Sequence, residues 1–281
     1  MGEVKIEVHG FCPFDVEEIY LNEGLDTHNY LKGDYLIKIL DRDKTIYITD
    51  FAGTYCAGKY PRNSTIVIQN NEIVYHKENV VTSSLIYAPP QGIPKTNSYD
   101  RLFDAIDEAV KLRCQDSPTA TMSSGHDSGT IVASALHQKL PFSTLSVSAH
   151  EYRAVLDKRI LITNGMLVDK WKENSDSHEV AAHNLAKIGC HAIISGLGAD
   201  ELLMTNDFQL LSLFLEDSNV HYHGHGIQTR YPLLDPTVYF EYWSLRPDLI
   251  GNKVQKKPLM EYMKSRNFPY TTEKKVAFYL D

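Results

Sequence analysis

Basic residues are in short supply: Lys and Arg total 28 against 36 Asp and Glu, a net charge of −8 over 281 residues. A generic nucleic-acid coat carries a basic excess, so that function is not expected, although a local basic patch is compatible with the total. Cysteine is sparse as well. Cys12, Cys56, Cys114 and Cys190 stand far apart with no CxxC pair. That argues against a disulfide framework or a cysteine zinc site and suits a reducing cytosol. No apolar run approaches the roughly 18 residues of a membrane span, and the opening MGEVKIEVHG has no signal-peptide core. A soluble, cytoplasmic protein with no membrane partner is expected. There is no internal repeat and no low-complexity segment. With 43% hydrophobic and 23% charged residues, disordered and collagen-like chains are excluded. At about 150 residues per domain the length allows one large or two modest domains.

The chain changes character near residue 90. Before it lie short β-rich runs, Tyr35–Leu40, Thr45–Thr49, Thr65–Gln69 and Glu72–Tyr75. The last two flank Asn70-Asn71, a pair that tolerates positive φ and suits a tight hairpin. Residues 88–98, APPQGIPKTNS, hold three prolines and a glycine and read as a linker. This divides the chain into a small β-rich unit, 1–90, and a larger one, 91–281. In the larger unit the pattern alternates. Tyr99–Cys114 carries a helical apolar stripe with Ser98 as its N-cap, Thr119–Met122 is a strand, and Ser128–Leu140 a helix. Phe142–Ala149 reads as a strand, Ser177–Ile188 as a helix and His191–Ser195 as a third strand. Strands alternating with helices imply an α/β fold with a parallel sheet covered on both faces. The stretch from Glu151 to Ser177 is too mixed to assign.

Two loops carry chemistry. Between a short strand and an apolar helix lies Thr121-Met122-Ser123-Ser124-Gly125-His126-Asp127-Ser128. Small residues let this backbone turn its N–H groups toward an anion, and the following helix adds its positive end. Ser123 and Ser128 offer hydroxyls to phosphate oxygens, and Asp127 could hold Mg²⁺. There is no GxxxxGK[ST], so a Walker-type loop is excluded. A Ser/Asp-capped turn explains the same residues equally well. The second loop, Ser195-Gly196-Leu197-Gly198-Ala199-Asp200-Glu201-Leu202-Leu203, breaks the tie. Two glycines at a strand's carboxyl end bring backbone close to a ligand, where open α/β sheets bind theirs. Asp200 and Glu201 then either cap a helix or, in the case of Asp200, supply a second Mg²⁺ ligand facing Asp127.

Together these loops resemble the ATP-pyrophosphatase (PP-loop) domain of the asparagine synthetase family. Ser123 to Ser128 is similar to its SGG-x-DS loop, and Ser195 to Leu202 to its SG-x-GADEL loop. Gln228-Thr229-Arg230-Tyr231-Pro232-Leu233-Leu234-Asp235 resembles E-x-R-x-PFLD. Lys256-Lys257-Pro258-Leu259 resembles K-x-x-LR, and Lys274 to Phe278 a worn R-x-K-x-GF. The resemblance covers roughly residues 98–281. Leu31 to Asp41, and Asp50-Phe51-Ala52-Gly53-Thr54 with Tyr60, are similar to the rear of that family's Ntn glutaminase domain. The nucleophilic cysteine expected as residue 2 is Gly2 here. Cys12, before Pro13, has no amine partner and reads as structural. Glutamine hydrolysis is therefore not expected.

The resemblance implies an ATP-dependent, AMP-forming carbon–nitrogen ligase that activates a carboxylate as its acyl-adenylate and passes it to ammonia or another amine. It implies Mg²⁺ on Asp127 and Asp200, and catalytic roles for Lys256, Asp127, Asp200 and Glu201. Ser123, Ser124, Gly125, Asp127 and Ser128 would cradle pyrophosphate, with Val147, Ser195 and Gly196 at the nucleotide. A separate ammonia-supplying glutaminase and a second copy of the chain are the protein partners it leaves open. Several residues depart from the family pattern: Ser124, His126, Leu197, Met260 and Ala277. Leu197 stands where some members carry an acid/base residue, so His126 is a substitute proton acceptor or a bystander. The alternative reading is a catalytically impaired nucleotide- or partner-binding relic. His221, His223 and His225 alternate as if lining one face of a strand, a spacing also compatible with metal. Substrate selection is expected between Glu151 and Ser177.

Overall fold

The computed structural model describes residues 4–55, 64–69, 72–78, 92–148, 152–172, 175–251 and 256–272. The first half is a β-meander: β1 (Val4–Phe11), β2 (Asp34–Asp41), β3 (Lys44–Thr49), β4 (Ser64–Gln69) and β5 (Glu72–Glu78), antiparallel and in that spatial order. Period-2 alternation sends Ile37, Ile39, Ile46, Ile48 and Val67 to one face. There they meet Val16 and Tyr20 of helix α1 (Val16–Glu23). The Asp15 carboxylate caps α1 by accepting the Glu18 N–H at 3.0 Å. Neither β1 nor α1 is foreseen in the sequence. Asn70-Asn71 lies outside the described residues, between the paired Gln69 and Glu72.

The second half contains α2 (Asp100–Arg113), β6 (Thr119–Thr121), α3 (His126–His137), β7 (Ser143–Ser148), α4 (Arg153–Thr163), β8 (Met166–Asp169), α5 (Ser177–Lys187) and β9 (Ala192–Ile194). A π-helix, Asp200–Thr205, follows. Then come α6 (Phe208–His223), β10 (Gln228–Arg230), α7 (Pro236–Ser244), α8 (Pro247–Ile250) and α9 (Lys257–Ser265). All five strands pair in parallel, in the order β10-β9-β6-β7-β8. The chain is thus mixed α/β, one antiparallel and one parallel five-stranded sheet.

Two expectations need correction, and one unassigned stretch gains its elements. The N-cap of α2 is Tyr99 rather than Ser98, whose hydroxyl nevertheless accepts the Asp100 N–H at 3.1 Å. His221 and His223 end a helix instead of alternating along a strand, because the apolar period through Leu211, Leu215 and Tyr222 is helical. The mixed stretch after Glu151 resolves into α4 and β8. Among the described residues no helix is long and apolar enough to cross a membrane.

The two halves share buried polar chemistry. Arg113 of α2, 1% exposed, donates from Nε to Asp34 Oδ2 at 2.6 Å and from Nη1 to Asp235 Oδ2 at 3.0 Å. Asp34 also accepts the Tyr231 N–H at 3.2 Å. Arg230 lies over the Phe11 ring at 4.2 Å. Ala52 belongs to the core built around α2 and α3, and Phe51 packs on Phe208 and Tyr239.

Asp50, beside this junction, accepts the Tyr35, Gly53 and Thr54 N–H groups. Burial pushes its carboxyl from 3.8 up to about 7, aided by the Asp34 charge and opposed by the amide donors. The folded state therefore binds this proton more tightly than the unfolded chain. Its stabilising effect is complete below about pH 4 and lost as pH rises through about 7. Urea unfolding at pH 5 and pH 8 is expected to show a smaller loss of stability for Asp50→Asn than for wild type.

Candidate functional site

β6 and β9 are neighbours, but the chain continues from β6 to β7 on one side and from β9 to β10 on the other. This reversal opens a crevice at their carboxyl ends, the place where open α/β sheets hold ligands. Both sequence loops end there.

The first loop turns on its own serines. Ser128 Oγ accepts the Ser123 N–H at 3.0 Å and lies 2.9 Å from Ser123 Oγ, which in turn accepts the Gly125 N–H at 3.1 Å. Ser124 is buried, and its hydroxyl accepts the Tyr152 N–H at 3.1 Å, tying the loop to the start of α4. The loop is held from behind by Arg159 of α4, fully buried. Its guanidinium donates to the Ser123 carbonyl, to the Gly125 carbonyl at 2.8 Å and to the Pro269 carbonyl at 2.9 Å. Two carbonyls of the loop are thus paired with a buried cation. Gly129 makes room, since a Cβ there would lie 2.5 Å from Arg159 Nη2.

The second loop leans directly on the first. Ser195 is anchored by its N–H to the Arg230 carbonyl at 2.9 Å, and its hydroxyl accepts the Leu197 N–H at 3.2 Å. A Cβ on Gly196 would meet Asp127 C at 2.6 Å and Ser128 N at 2.7 Å, both backbone atoms that cannot rotate away. Gly196→Ala is therefore expected to lower stability by about 1–3 kcal/mol through overpacking. Denaturant unfolding measures the effect.

Lys256 joins the loops. Its Nζ is 2.5 Å from Asp127 Oδ2 and also contacts Asp200 Oδ1, while the residue is only 5% exposed. Burial works against its ammonium, but the two carboxylates outweigh that and hold the pKa above its ordinary value. The residue sits in the left-handed region at φ 45°, unusual for a side chain of this size, just before Lys257-Pro258 open α9. Strain of this kind persists where surrounding structure over-determines it. Here the fixing comes from α9, whose Tyr262 and the following Arg266 both bond the Asp107 carboxylate of α2, Arg266 at 2.7 Å. Ser134 of α3 donates to the same carboxylate at 2.6 Å.

Asp127 Oδ1 is buried and accepts no hydrogen bond from any described residue. No known protein-family model matches the chain, and no curated protein does either. The site therefore stands on its geometry. Two carboxylates with a buried unused lone pair fit a hard divalent cation, although the described residues contain no group of three His, Cys, Asp or Glu able to hold a metal by themselves. Mg²⁺ is commonly held by one or two carboxylates together with substrate phosphates.

Of the residues singled out in the sequence, Ser123, Ser124, Gly125, Asp127, Ser128, Ser195, Gly196, Asp200 and Lys256 come together here. Glu201 lies beside Asp200 in the π-helix, its carboxyl pushed up by burial. Val147 is in β7, packed with Leu145 and Ala181. Leu197 packs against the main core. His126 donates from Nε2 to the Thr271 carbonyl at 2.8 Å, leaving Nδ1 as the basic nitrogen, and burial lowers its pKa. The Cys12 thiol is pushed up to about 11 by burial, in keeping with a structural role. Gly2, Cys56, Tyr60 and Lys274 to Phe278 lie outside the described residues. Arg159 and Asp107 escape sequence reasoning, because nothing local marks a charged residue as buried.

Proposed function

We propose that the chain is an ATP-dependent, AMP-forming carbon–nitrogen ligase of the PP-loop type, related to the asparagine synthetase family and without glutaminase activity. The observation that carries this reading is the convergence of Asp127, Asp200 and Lys256 from three separate segments on one crevice. ATP is the substrate: a carboxylate oxygen bonds to its α-phosphorus, the bond to pyrophosphate breaks, and an acyl-adenylate remains. An amine then bonds to the acyl carbon, AMP leaves, and the amine's extra proton passes to a base. Asp127 and Asp200 would hold Mg²⁺ together with the substrate phosphates, and the ion would neutralise charge on the triphosphate. The Ser123–Ser128 loop supplies N–H and hydroxyl donors for the phosphates, and Lys256 a buried positive charge that stabilises the departing pyrophosphate. These groups act electrostatically and move no proton themselves.

A second reading is nucleotide binding without turnover. Leu197 favours it, being apolar and turned to the core. The two readings separate in one experiment. Protein given Mg-ATP, ammonium and a panel of carboxylates should release AMP and pyrophosphate in equal amounts, and carboxylate should stimulate exchange of labelled pyrophosphate into ATP. Nucleotide binding with neither product establishes the second reading. Absence of binding as well sinks both.

A further inference from the structure

Lys256 Nζ touches both carboxylates that would hold a divalent cation. One ammonium between two carboxylates leaves a net single negative charge. Adding a divalent cation with Lys256 still in place would press two positive centres together inside a site where solvent screens little, since Lys256 is 5% exposed. The pair is nevertheless not saturated by the lysine, because Asp127 Oδ1 is buried and unused. Lys256 therefore occupies the pair without exhausting its oxygen chemistry.

We propose that Lys256 is the resident counter-ion of the Asp127–Asp200 pair and must leave it before a divalent cation enters. Metal then binds together with the triphosphate and not ahead of it. The triphosphate makes the exchange favourable by offering the ammonium new anionic partners as the cation takes over the carboxylates. Lys256 thus has two positions, one on the carboxylates and one on the phosphates, and it sets the order of binding. The incoming anion in this proposal is taken from the ligase reading above.

The test uses Mn²⁺, whose free form gives an electron paramagnetic resonance signal, and the α,β-methylene analogue of ATP. Wild type alone should leave the Mn²⁺ signal unchanged, and wild type with the analogue should quench it with one ion bound. Lys256→Met should bind Mn²⁺ without nucleotide at least about tenfold more tightly than wild type, and adding Asp200→Asn should abolish that gain. Equal Mn²⁺ affinity of wild type and Lys256→Met, both without nucleotide, would overturn the inference. Failure of wild type to bind Mn²⁺ with the analogue would instead overturn the ligase reading, a separate arm of the same titration. Should Lys256→Met not fold, Lys256→Gln is compared in the same way. Tight Mn²⁺ binding by nucleotide-free wild type, which needs no variant, also refutes the proposal.

Discussion

Under the proposed ligase reading, Asp127→Asn is expected to cut AMP and pyrophosphate formation about 100- to 1,000-fold, the usual effect of removing one electrostatic group from a reaction centre. Asparagine keeps the shape of the side chain, so the Ser123–Ser128 turn and the start of α3 are retained. What is lost is charge. Lys256 keeps only Asp200, and the buried Oδ1 position no longer offers an anionic oxygen. Stability should drop by about 1.5–3 kcal/mol, the contribution of a hydrogen bond to a charged group. That is small enough for the protein to remain folded while turnover collapses. Asp200→Asn should reduce turnover similarly with a smaller stability cost, because its side chain is 38% exposed against 14% for Asp127. Carboxylate-dependent pyrophosphate exchange together with thermal unfolding separates the two effects. A variant with full exchange activity would remove Asp127 from the mechanism.

Arg113→Met is expected to have the largest effect on folding. Burial opposes the guanidinium charge, but Asp34 and Asp235 outweigh it and raise its pKa further. Removing the cation strands two buried carboxylates, each also accepting a backbone N–H, from Tyr231 and Thr237. Breaking a buried ion pair from one side costs about 3–5 kcal/mol. That is a large part of the roughly 5–15 kcal/mol that stabilises a typical domain. Combining Arg113→Met with Asp34→Asn and Asp235→Asn should recover much of the loss, since no unpaired charge remains. Denaturant unfolding checks both, and a recovery would show that stranded charge, rather than lost packing, is what destabilises the single variant.

The sequence makes the alternating half legible because its signals are local. The apolar stripe of α2, the β6–loop–α3 turn and the glycines after β9 each announce themselves within about ten residues. The N-terminal strands β2 to β5 are readable for the same reason. β1 is harder: it forms an edge of its sheet, its Val4, Ile6 and Val8 are only partly buried or exposed, and Gly10 and Pro13 follow closely. α4 inverts the usual pattern. Leu161 is 82% and Ile162 51% exposed while Arg159 is fully buried, so hydrophobic periodicity points the wrong way. The site is legible as two loops, but not the way they are held. Arg159, Asp107 and the left-handed backbone of Lys256 act across distances in sequence that no local pattern records.

Both ends of the segment from Lys256 to Thr271 are fastened to consecutive residues of one turn, Lys256 to Asp127 and the Thr271 carbonyl to His126. Pro269, just inside the second end, is held by Arg159. The segment is therefore a closed bracket, and its amides should open to solvent as one cooperative unit rather than fray from an end. Hydrogen exchange followed along α9 would then register an event at the crevice, with the carboxyl end of the bracket reporting what happens to the lysine at its beginning.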